Sequence, residues 1–319
     1  MCLVALAIDQ DRRFPLVVAA NRDEFFKRPA ARLAWWTPRE GEPPILAGRD
    51  LEGGGTWMGL TAHGRFAFVT NRRDPSRNDP AAPSRGEIVL NWLAAREASD
   101  RFWMRTALSG YNGFNLIAAD FKLGECFWAS NVEAHPKRLE RGLYGLSNAA
   151  LDTPWPKVTA LKTQLREAIE SATTVDDLAS RLFHALSDRS IADDAALPAT
   201  GVSLDLERQL SSAFIRTPDQ AYGTRCSTLI ITERARRHLQ THVFERSFSA
   251  AGGLALLRRS TIRHWPPRYS DDATGAAVEP GAVSDSELPS DSGHTAPAKK
   301  TRVRSLLKPT TPRRVRGAA

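Results

Sequence analysis

The stretch "VVAANRDEFF", residues 17–26, changes character halfway along. Its small and apolar first half belongs to a predicted strand over Leu16–Ala20, and the polar quartet Asn21–Glu24 follows where that strand is expected to end. A second strand is predicted over Cys2–Ile8, and the turn "DQDRRF" separates the two. Pairing of both strands as a simple antiparallel hairpin brings the polar quartet beside Cys2. The sequence therefore predicts a polar site near the start of the chain.

Cys2 is a candidate N-terminal nucleophile. Methionine aminopeptidases remove Met1 when the next side chain is small, which would leave Cys2 with a free α-amine. That amine titrates near ~8 and a free thiol near ~8.5, so the amine can act as the base for its own thiol. A carboxylate of the neighbouring quartet would hold the protonated amine, and a cation near the sulfur would favour the thiolate. The alternatives are that Cys2 is a small start to a strand, that Arg22 and Asp23 form a surface ion pair, and that Asp23 and Glu24 cap a following turn.

Composition restricts the class of protein. The chain has 319 residues, 42% of them hydrophobic, which is enough for one large domain with a complete core. No apolar run approaches the ~20 residues of a membrane helix, and the start of the chain lacks the layout of a secretory signal. Three cysteines without CxxC spacing and seven scattered histidines predict neither a disulfide framework nor a metal site. We therefore expect a cytoplasmic protein that has no membrane span and needs no cofactor.

The C-terminal part has a different composition. From about Pro266 the chain is rich in Pro, Ser, Asp, Ala and Gly, which predicts a folded domain over 1–265 and a disordered tail over 266–319. Residues 269–293 contain six acids and no Lys or Arg, whereas residues 299–316 contain eight Lys/Arg and no acid. This separation accounts for part of the net charge of +8 and argues against a nucleic-acid partner. The basic end is a candidate contact for phosphates or acidic partners, and the alternative is a solubilising or self-neutralising tail.

The order of predicted elements favours an α+β fold with mostly antiparallel sheets covered by helices, rather than a βαβ repeat. Helices are expected at Ile88–Ala95, with Ser84 and Glu87 as a capping box, at 158–169, and after a cap formed by Thr174 and Asp177. Further strands are expected at Trp57–Leu60, Arg65–Thr70, Phe114–Ala119, Glu125–Ala129, Leu143–Ser147, Thr228–Thr232 and His242–Phe248.

Seven ordered motifs carry a resemblance to a known family. They are "MC" at the start, "AANRDEF" (19–25), "GGTWMG" (54–59), "VTN" (69–71), "YNGFNLIAAD" (111–120), "YGLSNAALDTPW" (144–155) and "YGTRCSTLI" (222–230). Together they resemble the NRDE family, the transport and Golgi organization 2 family, over about residues 1–248. More distantly, the arrangement is similar to cysteine N-terminal nucleophile (Ntn) hydrolases of the choloylglycine hydrolase and penicillin V acylase type. That resemblance implies a four-layer αββα sandwich.

The resemblance also implies site residues. Cys2 matches the nucleophile, Asp23 the carboxylate that holds the amine, Asn71 the asparagine that donates to the oxyanion, Asn148 a second asparagine, and Arg225 a late arginine.

One position departs from the hydrolase pattern. In those enzymes an arginine precedes the aspartate by three residues, but here that position is Ala20 and Arg22 adjoins Asp23. Neighbouring strand residues point to opposite faces unless a bulge intervenes. Asn21, Arg22 and Glu24 are therefore additional candidates.

Outside the quartet, four arginines of the loop after Asn71 are weaker candidates for a lid or a patch that binds phosphate or carboxylate groups: Arg72, Arg73, Arg77 and Arg85. The alternative is that they are solvated loop charges without a function. Trp57 is a candidate cleft wall.

Three functions remain open from the sequence. The first is cleavage of an amide or thioester bond of an acyl-type substrate by processed Cys2. The second, implied by the family resemblance alone, is non-catalytic binding and trafficking of haem, acyl-CoA or lipid on the same fold. The third is an interaction through the basic tail. The oligomeric state is not predicted.

Overall fold

Two antiparallel sheets form the centre of the protein. The computed structural model describes residues 2–236, 238–250, 256–267 and 283–287. The strands of sheet A are β1 (Cys2–Ile8), β2 (Leu16–Phe25), β10 (Gly142–Leu146), β11 (Tyr222–Ala235), β12 (His238–Ser247), β13 (Leu256–Arg263) and β14 (Ser284–Glu287). The strands of sheet B are β3 (Ala30–Trp36), β4 (Ile45–Asp50), β5 (Met58–Thr61), β6 (Arg65–Asn71), β7 (Phe114–Asp120), β8 (Glu125–Ser130) and β9 (Lys137–Arg138). Sheet A has the order β10-β1-β2-β11-β12-β13-β14, and sheet B follows the chain order from β3 to β9.

Helices cover the outer face of each sheet. They are α1 (Gly86–Ala94), α2 (Ser99–Ala107), α3 (Pro156–Ser171), α4 (Val175–Leu186) and the short α5 (Leu204–Gln209). The buried residues of α1 and α2 share a core with sheet B, and those of α3 and α4 share a core with sheet A. A third core fills the space between the two sheets. The layer order is therefore helices, sheet, sheet, helices, which confirms the predicted αββα sandwich.

Strand alternation decides which layer each residue of β1 and β2 enters. In β1, Cys2 and the alternate residues after it belong to the core between the sheets, whereas Leu3, Ala5 and Ala7 pack toward α3 and α4. Successive residues of a strand point to opposite faces, so both faces of this hairpin must be apolar. Consistent with this, all seven residues of β1 are buried. The hairpin thus places residue 2 between the two sheets.

The predicted hairpin register is confirmed, but the predicted end of β2 is wrong. Cys2 is paired with Arg22 and Ile8 with Leu16, as a simple antiparallel hairpin requires. The strand continues through the polar quartet to Phe25 instead of ending at Ala20, because β11 pairs with β2 on its other side as far as Phe25. This second partner satisfies the backbone groups of the quartet.

The predicted helices are present, with one correction at their caps. Thr174 accepts a hydrogen bond from the backbone N–H of Asp177 (3.1 Å), which confirms that cap. Ser84 does not cap α1: the helix begins after Arg85, no side chain caps its first turn, and Ser84 accepts from Glu87 N–H through its backbone oxygen. The elements that the sequence analysis missed are β3, β4, β9, β13, β14, α2 and α5.

The predicted tail lies mostly outside the described residues. Within it, Ser284–Glu287 form the edge strand β14, which pairs with β13, and Asp285 Oδ1 accepts from Arg258 Nε at 2.8 Å. Trp265, directly before the predicted tail, is fully buried and donates from Nε1 to Thr61 O (2.9 Å). Among the described residues, none of the helices combines the length and apolar character needed to cross a bilayer.

Candidate active site

Cys2 lies at the start of β1, directly across from Arg22 of β2. Its side chain is 7% exposed, and its backbone oxygen accepts a hydrogen bond from Ser147 Oγ (2.9 Å). Paired residues of antiparallel strands point to the same face, so Cys2 and Arg22 share the face toward sheet B. The backbone N–H of Asp23 also forms a hydrogen bond to the thiol. The hairpin therefore surrounds the sulfur with a guanidinium and a backbone donor.

A cavity of about 450 Å³ opens beside Cys2. Its wall contains Cys2, Arg22, Asp23, Glu24, Trp57 and Asn71, six of the residues predicted from the sequence. The wall also contains residues that the sequence analysis did not assign to the site, among them Arg28, Asp50, Glu52 and Asp79, and it contains Arg85. Acidic and basic residues thus line one space, which makes the cavity polar and mixed in charge.

The Arg22 guanidinium is held at the centre of this wall. It stacks over the Trp57 ring, 4.2 Å from the ring centroid, and its Nη2 lies 3.7 Å from Glu24 Oε2 and 3.8 Å from Asp50 Oδ2. Within the part of the chain that the structure describes, Arg22 Nη1 is buried without a hydrogen-bond partner. The Trp57 ring packs against Gly48 of β4, where an added Cβ would lie 2.4 Å from the ring. Gly48 is therefore required for the ring that supports Arg22.

Asp23 and Asn21 extend from the opposite face of β2. Asn21 Nδ2 donates to Leu186 O and Ala213 O, both at 2.8 Å, and Asn21 Oδ1 accepts from Ser227 Oγ at 2.6 Å. Asp23 Oδ1 accepts from Thr224 Oγ1 at 2.7 Å. The bulge next to the quartet is in β11, between Thr224 and Cys226, so β2 keeps its alternation and Arg22 and Asp23 point to opposite faces.

Asn71 and Asn148 have different surroundings. Asn71 ends β6 and lines the cavity. Asn148 lies just beyond β10, is 2% exposed, and donates from Nδ2 to Asn71 O (2.9 Å). The side-chain amide of Asn148 therefore fixes the backbone of Asn71, a residue that lines the cavity.

The remaining predicted arginines do not line the cavity. Arg225 Nη1 donates to Phe25 O and Arg28 O, both at 2.8 Å, and so holds the turn after β2. Arg72 Nη2 pairs with Glu133 Oε1 (3.2 Å), and Arg73 Nη1 pairs with Glu207 Oε2 (2.6 Å) in a buried ion pair. The structure thus brings six predicted residues to one cavity: Cys2, Arg22, Asp23, Glu24, Trp57 and Asn71. Asn21, Asn148 and the three arginines above lie outside its wall.

Burial dominates the electrostatics of the site. It is the largest cause raising the pKa of the Cys2 thiol; the Asp23 carboxylate raises that pKa further, and the Arg22 guanidinium lowers it. Burial also raises the pKa of Asp23, and the charge of Lys157 is the largest effect that lowers it. The thiol therefore needs a base to react near neutral pH.

Lys157 is a charged residue whose buried position sequence reasoning did not find. It is 5% exposed in the first turn of α3, where its place before an apolar stripe is typical of a solvent-facing lysine. Arg85, predicted as part of a binding patch in the loop after Asn71, does line the cavity, and its Nη1 donates to Gly113 O at 3.1 Å. The burial of Lys157 depends on contacts between distant segments, which leave no local signal in the sequence.

A second, apolar groove of about 660 Å³ adjoins the polar cavity. Both spaces share Glu24 and Asn71 in their walls. The other residues of the apolar groove include Phe25, Leu206, Leu210, Pro218, Ala221 and Tyr222. Phe25 and Tyr222 meet edge to face with ring centroids 5.1 Å apart. The site therefore has one polar and one apolar side.

Metal binding finds no support in the residues that the structure describes, which contain no cluster of three or more His, Cys, Asp or Glu side chains suited to an ion. The cysteines Cys126 and Cys226 are free and buried.

Comparison with known sequences decides the family. The sequence model of the family "Transport and Golgi organisation 2" matches residues 1–250. The chain belongs to this family. Members include the Transport and Golgi organization protein 2 homolog of Bos taurus, 35% identical over 251 residues, with 73% of this chain and 89% of that protein covered. The human homolog is 32% identical over 255 residues, with the same coverage of 73% and 89%.

Two solved structures are similar to this family member at low sequence identity. One is the Caenorhabditis elegans ortholog of N-acylethanolamine-hydrolyzing acid amidase, with a TM-score of 0.42, 9% identity, and coverage of 72% of this chain and 92% of that chain. The other is the C2A mutant of the conjugated bile acid hydrolase of Clostridium perfringens, with a TM-score of 0.37, 10% identity, and coverage of 76% and 92%.

Proposed function

We propose that this protein hydrolyses an amide or thioester bond of an acyl-type substrate, with Cys2 as nucleophile. The observation that carries the proposal is the position of the Cys2 thiol, which lies at the wall of the polar cavity between Arg22 and the backbone of Asp23. A merely structural cysteine needs neither a charged partner across the hairpin nor access to a cavity.

The chemistry requires that Met1 is removed, so that Cys2 carries a free α-amine. In the first step the amine takes the thiol proton, the sulfur attacks the substrate carbonyl carbon, and the ammonium then returns the proton to the leaving nitrogen or sulfur as the acyl bond breaks. In the second step water attacks the acyl–cysteine thioester, which releases the carboxylic acid and restores the thiol. Asp23 is proposed to hold the ammonium form, and Arg22 to favour the thiolate.

The tetrahedral intermediate needs a donor for its oxyanion. Asn71 is the best-placed side-chain amide, because it lines the cavity and its backbone is fixed by Asn148. A donor of this kind contributes roughly 3–4 kcal/mol to the barrier when measured by its removal. We assign Asn148 to positioning, since its own amide is used by Asn71 O.

The two sides of the site favour an amphiphilic substrate. An apolar acyl group fits the groove formed by Phe25, Leu206 and Tyr222, and a polar leaving group fits the cavity on the other side of Asn71 and Glu24. By their names, the two structurally similar proteins are an amidase that hydrolyses N-acylethanolamines and a hydrolase of conjugated bile acids. The proposed substrate class is the same in kind, and a cytoplasmic location, where free cysteines stay reduced, is part of the proposal.

A second candidate function is non-catalytic binding of haem, acyl-CoA or another lipid. The observation that favours it is the arginine content of the cavity, since Arg22, Arg28 and Arg85 could bind propionates or phosphates. The carboxylates in the same wall, such as Asp50 and Glu52, oppose a polyanion. We therefore rank hydrolysis first.

One experiment separates the two functions. Native protein is incubated with a panel of fluorogenic acyl amides and acyl thioesters, beside Cys2→Ala and the control Cys126→Ala, which removes another buried thiol. We expect turnover that Cys2→Ala abolishes and Cys126→Ala preserves. Saturable binding of haem or acyl-CoA that survives Cys2→Ala, without turnover of any substrate in the panel, would favour the binding function instead.

A further inference from the structure

Lys157 is a buried cation directly behind the candidate site. It is the second residue of α3, only 5% exposed, and its Nζ donates to Leu210 O at 2.7 Å. A single carbonyl does not compensate a buried ammonium, because the ion loses its hydration shell and retains its charge. A negative partner is therefore expected nearby.

Four charged or ionisable groups interact with Lys157 from other elements: Asp23 of β2, Glu207 of α5, Arg73 of the loop after β6, and Cys2 of β1. Glu207 already accepts from Arg73 Nη1 at 2.6 Å and from Thr200 Oγ1 at 2.5 Å. Arg73 repels the ammonium. Asp23 is thus the carboxylate that balances Lys157, and it is the largest source of stabilisation for the charged form of that lysine.

Residues 210–215, which we call the crossing segment, bind both partners on the helix side of sheet A. Leu210 O accepts from Lys157, and Ile215 N–H donates to Thr224 Oγ1 at 2.9 Å. Thr224 Oγ1 in turn donates to Asp23 Oδ1. One stretch of backbone therefore fixes the lysine and, through a threonine, the aspartate.

We propose that Lys157 is a positioning residue of this site, whose buried ammonium keeps Asp23 ionised and oriented toward the N-terminal cysteine. The inference deepens the proposed function and rests on it for the role of Asp23 at Cys2. The electrostatic interaction of Lys157 with Asp23 does not depend on that role, since the crossing segment binds Lys157 directly and Asp23 through Thr224.

The interaction between Lys157 and Asp23 predicts how the stability of the protein depends on pH. Burial lowers the pKa of Lys157 to about 8, against the opposing effect of Asp23. Burial also raises the pKa of Asp23, and Lys157 limits that rise. Without Lys157, the pKa of Asp23 in the folded protein moves further above its unfolded value of ~3.9. The stability of such a variant is then highest at low pH and is lost as pH rises through the pKa of the folded state.

A double-mutant cycle tests the pair. Urea unfolding is measured between pH 5 and pH 7.5 for the full chain and for Lys157→Met, Asp23→Asn and the double variant. We expect Lys157→Met to lose stability progressively as pH rises. The double variant should regain at least about tenfold in the folding equilibrium constant over Lys157→Met at pH 7.5, because no uncompensated charge remains. The control Lys162→Met lies on the same helix and pairs with Asp152 while 25% exposed, so it should show little pH dependence.

A second readout tests the effect on Cys2. The rate of Cys2 alkylation is followed against pH in the same proteins. We expect Lys157→Met to change the profile in the same direction as Asp23→Asn, with no further change in the double variant. Additive losses of stability would show that Lys157 only packs and would overturn the inference, as would an alkylation profile that Lys157→Met leaves unchanged. Absence of amide turnover alongside the expected coupling would count against the proposed hydrolase alone.

Discussion

Neighbouring residues of the quartet have different surroundings because their side chains lie on opposite faces of β2. On the face toward sheet B, Arg22 lies in an open polar cavity, stacked on Trp57 and opposite Cys2. On the face toward the helices, Asn21 and Asp23 are bound by Ser227, Thr224 and backbone carbonyls in a closed environment. The comparison shows that one face borders the cavity and the other holds the strand in place through buried hydrogen bonds. Strand alternation therefore divides a motif that is continuous in sequence.

The largest effect on activity is expected from removing the proposed oxyanion donor, which lines the cavity. We expect Asn71→Ala to lower kcat by roughly 10²–10³-fold with little change in folding, since the side chain contributes mainly in the transition state. Steady-state kinetics on the best substrate of the panel measure this effect. Asn91→Ala, on α1 and away from the cavity, is the matched control. Equal kcat in both variants would remove Asn71 from the mechanism.

Stability distinguishes the closed side from the open side. Asn21→Ala leaves the carbonyls of Leu186 and Ala213 and the hydroxyl of Ser227 without their partner. We expect a loss of about 1–3 kcal/mol in the free energy of unfolding for each buried group left unsatisfied, measured by urea denaturation. Activity per folded molecule should fall much less. A soluble Asn21→Ala variant of unchanged stability would contradict the claim that the Asn21 side chain stabilises the fold through these hydrogen bonds.

The Arg22 guanidinium should control the reactivity of Cys2 through charge. Because Arg22 lowers the pKa of the Cys2 thiol, Arg22→Met should raise it and move the midpoint of alkylation to higher pH. Arg225→Met is the informative comparison, since Arg225 holds the turn after β2 and does not line the cavity. If Arg225→Met moved the midpoint more than Arg22→Met, the late arginine implied by the family resemblance would be the better candidate.

The smallest effect is expected from the end of the chain. A chain ending at Glu287 should keep the turnover and stability of the full protein, because it retains β14 and the ion pair between Arg258 and Asp285. Ending it at Trp265 removes both and should lower stability. Thermal unfolding and turnover of the two truncated chains check this, and a loss of ligand binding or turnover in the longer one would assign a role to the basic segment.

The predictions from sequence succeeded where periodicity carries information and failed where contacts between distant segments decide. The two short apolar runs and the turn between them were sufficient for the hairpin and its register, and the hairpin alone places Arg22 beside Cys2. The αββα order was implied by the family resemblance rather than by periodicity. The predicted end of β2 was wrong because the pairing of β11 with the polar quartet leaves no signal in the local sequence. For the same reason Lys157 resembled a surface lysine, and the resemblance put Arg225 in a site whose cavity wall it does not form.

The central claim is that processed Cys2 is the reactive nucleophile of this site. Intact-mass analysis before and after treatment with a cysteine-directed electrophile tests it most directly, with native protein compared with Cys2→Ala. We predict a native mass lacking Met1 and rapid addition of one label that Cys2→Ala abolishes, while buried Cys126 and Cys226 react slowly. A chain that retains Met1, or a processed Cys2 that reacts no faster than the buried cysteines, would contradict the account.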